Sequence, residues 1–229
     1  MNFRDFILTL CVIFLTKAYT QKTLPTNPVP NKAQLAWQKA ELGAVFHYDL
    51  HVFDNKKYRQ TGTSGNRINP IPNHQIFNPQ QLDTDQWIKA IKKAGFKFAL
   101  LTATHETGFA LYPSEVNPYS VKTLKWRDGK GDIVRDFVNS CRKYGIQPGI
   151  YVGIRWNSFF GVHDFTVNGT GEFQKKRQAY YNQMVEGMIT ELCTQYGPLF
   201  EIWFDGGASH PDLGAPDVLP IVKKYQPEC

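Results

Sequence analysis

Glu201-Ile202-Trp203-Phe204-Asp205-Gly206-Gly207 is an apolar run that ends by delivering one carboxylate onto a pair of glycines. In a parallel α/β sheet or barrel the reactive groups stand where strands end and loops begin. The run therefore reads as a buried strand with Asp205 at the working edge. An aspartate opening a turn before Gly-Gly is also common, and turn chemistry alone accounts for it. The rest of the chain decides between the two.

Three further apolar runs precede it, residues 43–47, 98–102 and 149–154. They recur roughly every fifty residues, each followed by a polar loop and an amphipathic helix, the repeat that builds parallel sheets. Near-continuous apolar runs without alternation predict strands buried on both faces.

The helices carry their own punctuation. Asp83 stands three residues before Gln86 as a capping box, and Trp87, Ile88 and Ile91 form the stripe behind it. Asp132 caps a second helix whose Ile133, Val134, Phe137, Val138 and Cys141 recur at helical spacing until Gly145 stops it. Tyr181, Met184, Val185, Met188, Ile189 and Leu192 give the third helix the cleanest period, ended by Gly197-Pro198. A fourth helix is expected over about 216–225, with Val218, Leu219 and Val222 repeating before Pro227.

The fold class expected is α/β, a (β/α)8 TIM-type barrel of which this chain supplies about the first four βα units. An open four-stranded sheet is the alternative. The long polar segment 49–81, rich in Asn and Pro, favours the barrel, because substrate-binding loops look like that.

Residues 1–20 read as a signal peptide: Arg4, an apolar run from Phe6 to Leu15, then small residues near a cleavage point. That run is too short to span a bilayer, and no later stretch approaches the length of a membrane helix. The expected location is the secretory pathway, extracellular or lysosomal, with residues 21–229 as one domain. Losing Cys11 leaves Cys141, Cys193 and Cys229, an odd number. The first two lie on apolar helix faces and read as buried thiols rather than a disulfide. Asn168-Gly169-Thr170 is a glycosylation sequon in a polar loop. The formal charge of +6 comes without a Lys and Arg cluster interleaved with aromatics, so it reads as solvated surface and excludes a nucleic-acid partner.

The strand ends collect reactive side chains: His47 after the first, His105 and Glu106 after the second, Tyr151 within the third, Asp205 after the fourth. Singly, each has an ordinary structural role. Together at one rim, and accompanied by Trp156 and Trp203, they suggest a pocket that stacks a sugar ring and hydrogen-bonds its hydroxyls. His47 and His51 stand four apart, the spacing of a helical zinc pair, but they straddle the end of a strand and lack that geometric reason to converge. No metal and no cofactor is expected.

Val45-Phe46-His47, Thr102-Ala103-Thr104-His105-Glu106-Thr107-Gly108-Phe109, Gly131-Asp132, Pro148-Gly149-Ile150-Tyr151 and Ile202-Trp203-Phe204-Asp205-Gly206-Gly207, in that order, resemble the α-L-fucosidases of glycoside hydrolase family 29. The resemblance runs from about Trp37 to Tyr225. It implies a retaining exo-glycosidase that removes terminal α-L-fucose from oligosaccharides or glycoproteins. Residue by residue, Asp205 matches the nucleophile, and His47, His105, Tyr151 and Trp203 match contacts to fucose. Many members have two adjacent histidines where this chain reads His105-Glu106, so Glu106 replaces a histidine contact with a carboxylate that accepts a sugar hydroxyl.

Retaining hydrolysis also needs a second carboxyl group, about 5 Å from the nucleophile, to protonate the leaving oxygen. In the family it comes from a later part of the barrel, which the sequence does not reach. The expectation for this polypeptide alone is therefore an unstable or inactive product, or a non-catalytic fucose-binding protein. Linkage preference and oligomeric state are not legible.

Overall fold

A computed structural model of the chain describes residues 28–54, 71–208 and 210–229. The signal-peptide reading of 1–20, with Cys11, and the middle of the long loop after the first strand lie outside the described residues. The chain divides into two units, residues 1–35 and 36–229. In the first, Asn31 Oδ1 accepts from the Gln34 amide at 2.8 Å and Gln34 Oε1 accepts from the Asn31 amide at 2.9 Å. This reciprocal cap opens helix α1 (Lys32–Ala40), which was not anticipated from sequence.

In the second unit, strand β1 (Gly43–Phe46) is followed by helix α2 (Thr84–Lys93) and strand β2 (Phe98–Thr104). Helix α3 (Ile133–Tyr144) and strand β3 (Gln147–Val152) come next. Three two-residue strands follow: β4 (Trp156–Asn157), β5 (Val162–His163) and β6 (Thr166–Val167). Helix α4 (Glu172–Gln195), strand β7 (Glu201–Trp203) and helix α5 (Leu219–Tyr225) complete the order.

The four long strands form one sheet in the order β1-β2-β3-β7, every pair parallel. Consecutive strands are neighbours and helices connect them, as the fifty-residue repeat predicted. Among the described residues the sheet is open, and closure of a barrel is not seen. The small antiparallel sheet β4-β5-β6 was not foreseen, because two residues carry no readable periodicity.

The helix signals act locally. Asp83 Oδ1 accepts from the Gln86 amide at 2.9 Å and Asp132 Oδ1 from the Arg135 amide at 2.8 Å, so both caps are filled. Gly145 ends α3 in the left-handed region, φ 67°. The last helix begins three residues later than predicted, at Leu219, with Pro220 in its first turn, where a missing N–H costs nothing.

The core lies between the sheet and its helices. Ala99, Leu101, Ala103, Ile150 and Val152 meet Ile88, Val134, Phe137, Val138, Cys141, Tyr181, Val185 and Ile189 there, all buried. Phe46 reaches it from β1, stacked on Trp87 at 5.4 Å and edge-on to Phe137 at 5.8 Å. Cys141 and Cys193 are buried free thiols, and burial pushes each up to about 12.

Burial on both faces holds for β2 and β3 and fails for β1 and β7. The edge strands pack Phe46 and Ile202 against the core on one side only. On the other side Val45 is 37% and Trp203 39% exposed. A cavity of about 340 Å³ sits there, lined by Trp37, Gly43, Val45, Phe98, Leu100, Glu201 and Trp203. Trp37 crosses it, its indole N–H donating to Glu201 Oε2 at 2.9 Å.

Candidate active site

Strand alternation places side chains of one parity on the open face. Gly43 and Val45 lead to His47, Gly149 leads to Tyr151, and Glu201 and Trp203 lead to Asp205. The carboxyl ends of three strands thus project toward the same rim.

Tyr151 is the hub. Its hydroxyl bonds Asp205 Oδ2 at 3.0 Å. Its ring lies 5.5 Å from Trp203, 5.5 Å from His105 and 5.8 Å from His47. His47 and His105 meet edge to face at 5.1 Å. Burial, then the Asp205 charge, drives the Tyr151 phenol well above its ordinary range, so it stays protonated and donates. Asp205 itself is exposed at the start of the Gly206 turn.

His47 and His105 are fastened from behind. Thr102 Oγ1, wholly buried, accepts from the Tyr48 amide at 3.0 Å and donates to the Tyr48 carbonyl at 2.9 Å, fixing the residue after His47 to β2. The β2–β3 register shifts between Thr102 and Thr104, a bulge just before His105 that turns the strand end. Gly153 lets β3 pass beneath it. A Cβ there would stand 3.1 Å from the His105 Cα.

His105 is pulled two ways. Burial holds its imidazole below the usual histidine value, against the opposing pull of Asp49 and Glu106. The Asp49 carboxylate, in contrast, raises His51. Glu106 acts electrostatically on His51, His105 and Tyr151 alike. His51 sits in the short 3-10 turn Leu50–Phe53 with Nδ1 3.4 Å from Asp49 Oδ2. Among the described residues no group of three or more His, Cys, Asp and Glu is placed to hold a metal ion.

Five residues singled out from sequence thus converge: His47, His105, Glu106, Tyr151 and Asp205. Trp203 joins them through Tyr151. Trp156 is the second indole of the expected stacking pair. It lies in β4 with the Arg155 guanidinium 4.5 Å from its ring and the His163 ring at 6.3 Å. Sequence reasoning missed Asp49, whose only visible signal was its place between His47 and His51.

Fold and rim together define a class: a parallel α/β domain with its reactive side chains at the carboxyl ends of the strands. The chain belongs to the α-L-fucosidase family, whose model, described as Alpha-L-fucosidase, matches residues 18–227. Alpha-L-fucosidase 1 of Arabidopsis thaliana is 35% identical over 182 residues, covering 80% of this chain and 32% of the plant protein.

A crystal structure from Bacteroides thetaiotaomicron, assigned provisionally as an α-L-fucosidase, is 65% identical with a TM-score of 0.83, covering 88% of this chain and 45% of that one. A glycoside hydrolase 29 family member from an unknown rumen bacterium is 31% identical with a TM-score of 0.64, covering 90% and 36%. The chain therefore spans about a third of the plant relative and under half of these solved structures.

Proposed function

We propose that this chain carries the fucose-binding and nucleophile half of a retaining exo-α-L-fucosidase built on a (β/α)8 barrel. The observation that carries the reading is the Tyr151–Asp205 hydrogen bond inside a ring of imidazole and indole groups. An exposed carboxylate pinned at one oxygen keeps the other for attack on an anomeric carbon. His47, His105 and Glu106 bind sugar hydroxyls, and Trp203 offers its indole to an apolar edge of the ring. Retention requires a second carboxyl group about 5 Å away as acid and base. Glu106 is assigned to binding, and no residue of this rim is assigned as the proton donor.

The substrates are fucosylated oligosaccharides or glycoproteins. The sequence of residues 1–20 supports entry to the secretory pathway. Asn168 is exposed and fits a glycosylation site, which a mass shift on treatment with a peptide N-glycosidase checks. Among the described residues no helix is long and apolar enough to cross a membrane.

The nucleophile is tested without any proton donor by a 2-deoxy-2-fluoro-fucosyl fluoride. Asp205 attacks C1, the C1–F bond breaks with its electron pair, and fluoride leaves unprotonated. The expected result is a glycosyl ester mapped to Asp205 in peptide digests. Labelling at Glu106 instead, or none, overturns the assignment.

A further inference from the structure

The rim contains a buried carboxylate that the proposed chemistry does not use. The Asp49 side chain is 2% exposed. Burying a carboxylate costs several kcal/mol unless charges and donors surround it, so its surroundings show what it holds. Oδ1 is filled, accepting from the Leu50 amide at 2.6 Å and from the Thr107 hydroxyl. The same hydroxyl accepts from the Phe109 amide at 3.1 Å. One carboxylate thereby ties the loop after β1 to the loop after β2.

Oδ2 is turned to different groups. It lies 3.4 Å from the Thr107 amide nitrogen, 3.4 Å from His51 Nδ1 and 3.8 Å from His105 Nδ1. The His105 Nδ1 atom is buried without a hydrogen-bond partner. At 3.8 Å the contact is electrostatic and short of a hydrogen bond. Its sign still selects a tautomer. A lone pair at Nδ1 would face the carboxylate lone pairs, whereas an N–H there faces an acceptor.

We propose that Asp49 is a positioning residue: it holds His105 in the Nδ1–H tautomer, which leaves Nε2 as a hydrogen-bond acceptor for a sugar hydroxyl. The proposal rests on the reading of His105 as a fucose contact. In this state Nε2 accepts a hydrogen bond from a hydroxyl and donates none. An inward shift of the ring of under an ångström would complete the Nδ1–H bond to Oδ2 when a ligand is seated.

Long-range nitrogen–proton NMR of the imidazoles, at a pH above their titration and with His105→Gln to assign the signals, tests this. The expected spectrum of the unsubstituted chain shows His105 protonated on Nδ1. Asp49→Asn keeps an oxygen for the Leu50 amide and Thr107 but offers Nδ1 an amide donor, so His105 moves toward the Nε2–H form. L-fucose binding by calorimetry then weakens roughly tenfold, about 1.4 kcal/mol.

An Nε2–H His105 in the unsubstituted chain overturns the proposal even if Asp49→Asn does not fold. So does a folded Asp49→Asn whose His105 spectrum is unchanged. An Nδ1–H tautomer in a chain that binds no fucose overturns the sugar reading alone and leaves the role of Asp49 in setting the tautomer standing.

Discussion

The two faces of the parallel sheet are made from the same strands and do opposite things. On the helix side, Leu101, Ile150 and Val152 are sealed against α2, α3 and α4, with almost no exposed area. On the other side the sheet passes from the buried Leu100 to the half-open Val45 and Trp203, and that parity ends in His47, Tyr151 and Asp205. Adjacent residues in one strand thus serve stability and chemistry in turn, because a period of two separates them. The lesson is that a continuous apolar run hides two environments, and only the partners across each face tell them apart.

The sharpest test of the division is at the chemical end. Asp205→Asn keeps the shape of the turn and removes the attacking oxygen. The rate of trapping by the fluoro-fucosyl fluoride should fall on the order of 10⁴-fold, with thermal unfolding unchanged. A large loss of stability with it would place Asp205 among the structural residues.

Next comes a pair across the sheet. Phe137→Ala removes a wholly buried ring beneath Phe46 and should cost about 3–5 kcal/mol in denaturant unfolding. Val45→Ala, on the open face, should cost ~0.5 kcal/mol or less. Equal costs would show that the open face is covered in solution.

Tyr151→Phe deletes the hydroxyl on Asp205 and keeps the ring among His47, His105 and Trp203. Trapping should slow roughly tenfold while fucose affinity changes little, since the lost bond orients the nucleophile rather than the sugar.

The smallest effect is expected in the helix layer. Asp85 on α2 accepts from Lys143, Ser140 and Tyr144 of α3, and the Lys143 bond above all lowers its carboxyl from 3.8 to about 2. A depressed folded value gives stability that is complete above the ordinary range and is lost as pH falls toward the folded one. Asp85→Asn should therefore flatten the melting-temperature loss between about pH 4 and about pH 2. An unchanged slope would mean the pair is already solvated away, as exposed ion pairs often are.

Much of the scaffold was legible because it is local. The caps at Asp83 and Asp132, the stop at Gly145 and the stripe from Tyr181 to Leu192 depend on residues within a few positions, and each lies where periodicity put it. The strand positions followed from apolar runs and the order from the repeat of strand and helix. The site was legible in part: the strand-end rule drew attention to His47, His105, Glu106, Tyr151 and Asp205, and family resemblance supplied their expected roles.

What only the tertiary structure decided are the relations between distant residues. Asp205 meets the Tyr151 hydroxyl across 54 positions, Asp49 reaches Thr107 across 58, and Trp37 reaches Glu201 across 164. No periodicity encodes such pairings. They arise when parallel crossovers set strand ends side by side. The sequence by itself determined the four parallel strands, the helices between them and most of the reactive groups at the strand ends, but not α1, the small sheet or Asp49. Packing determined which of those groups touch, because side-chain direction depends on register and on what covers each face.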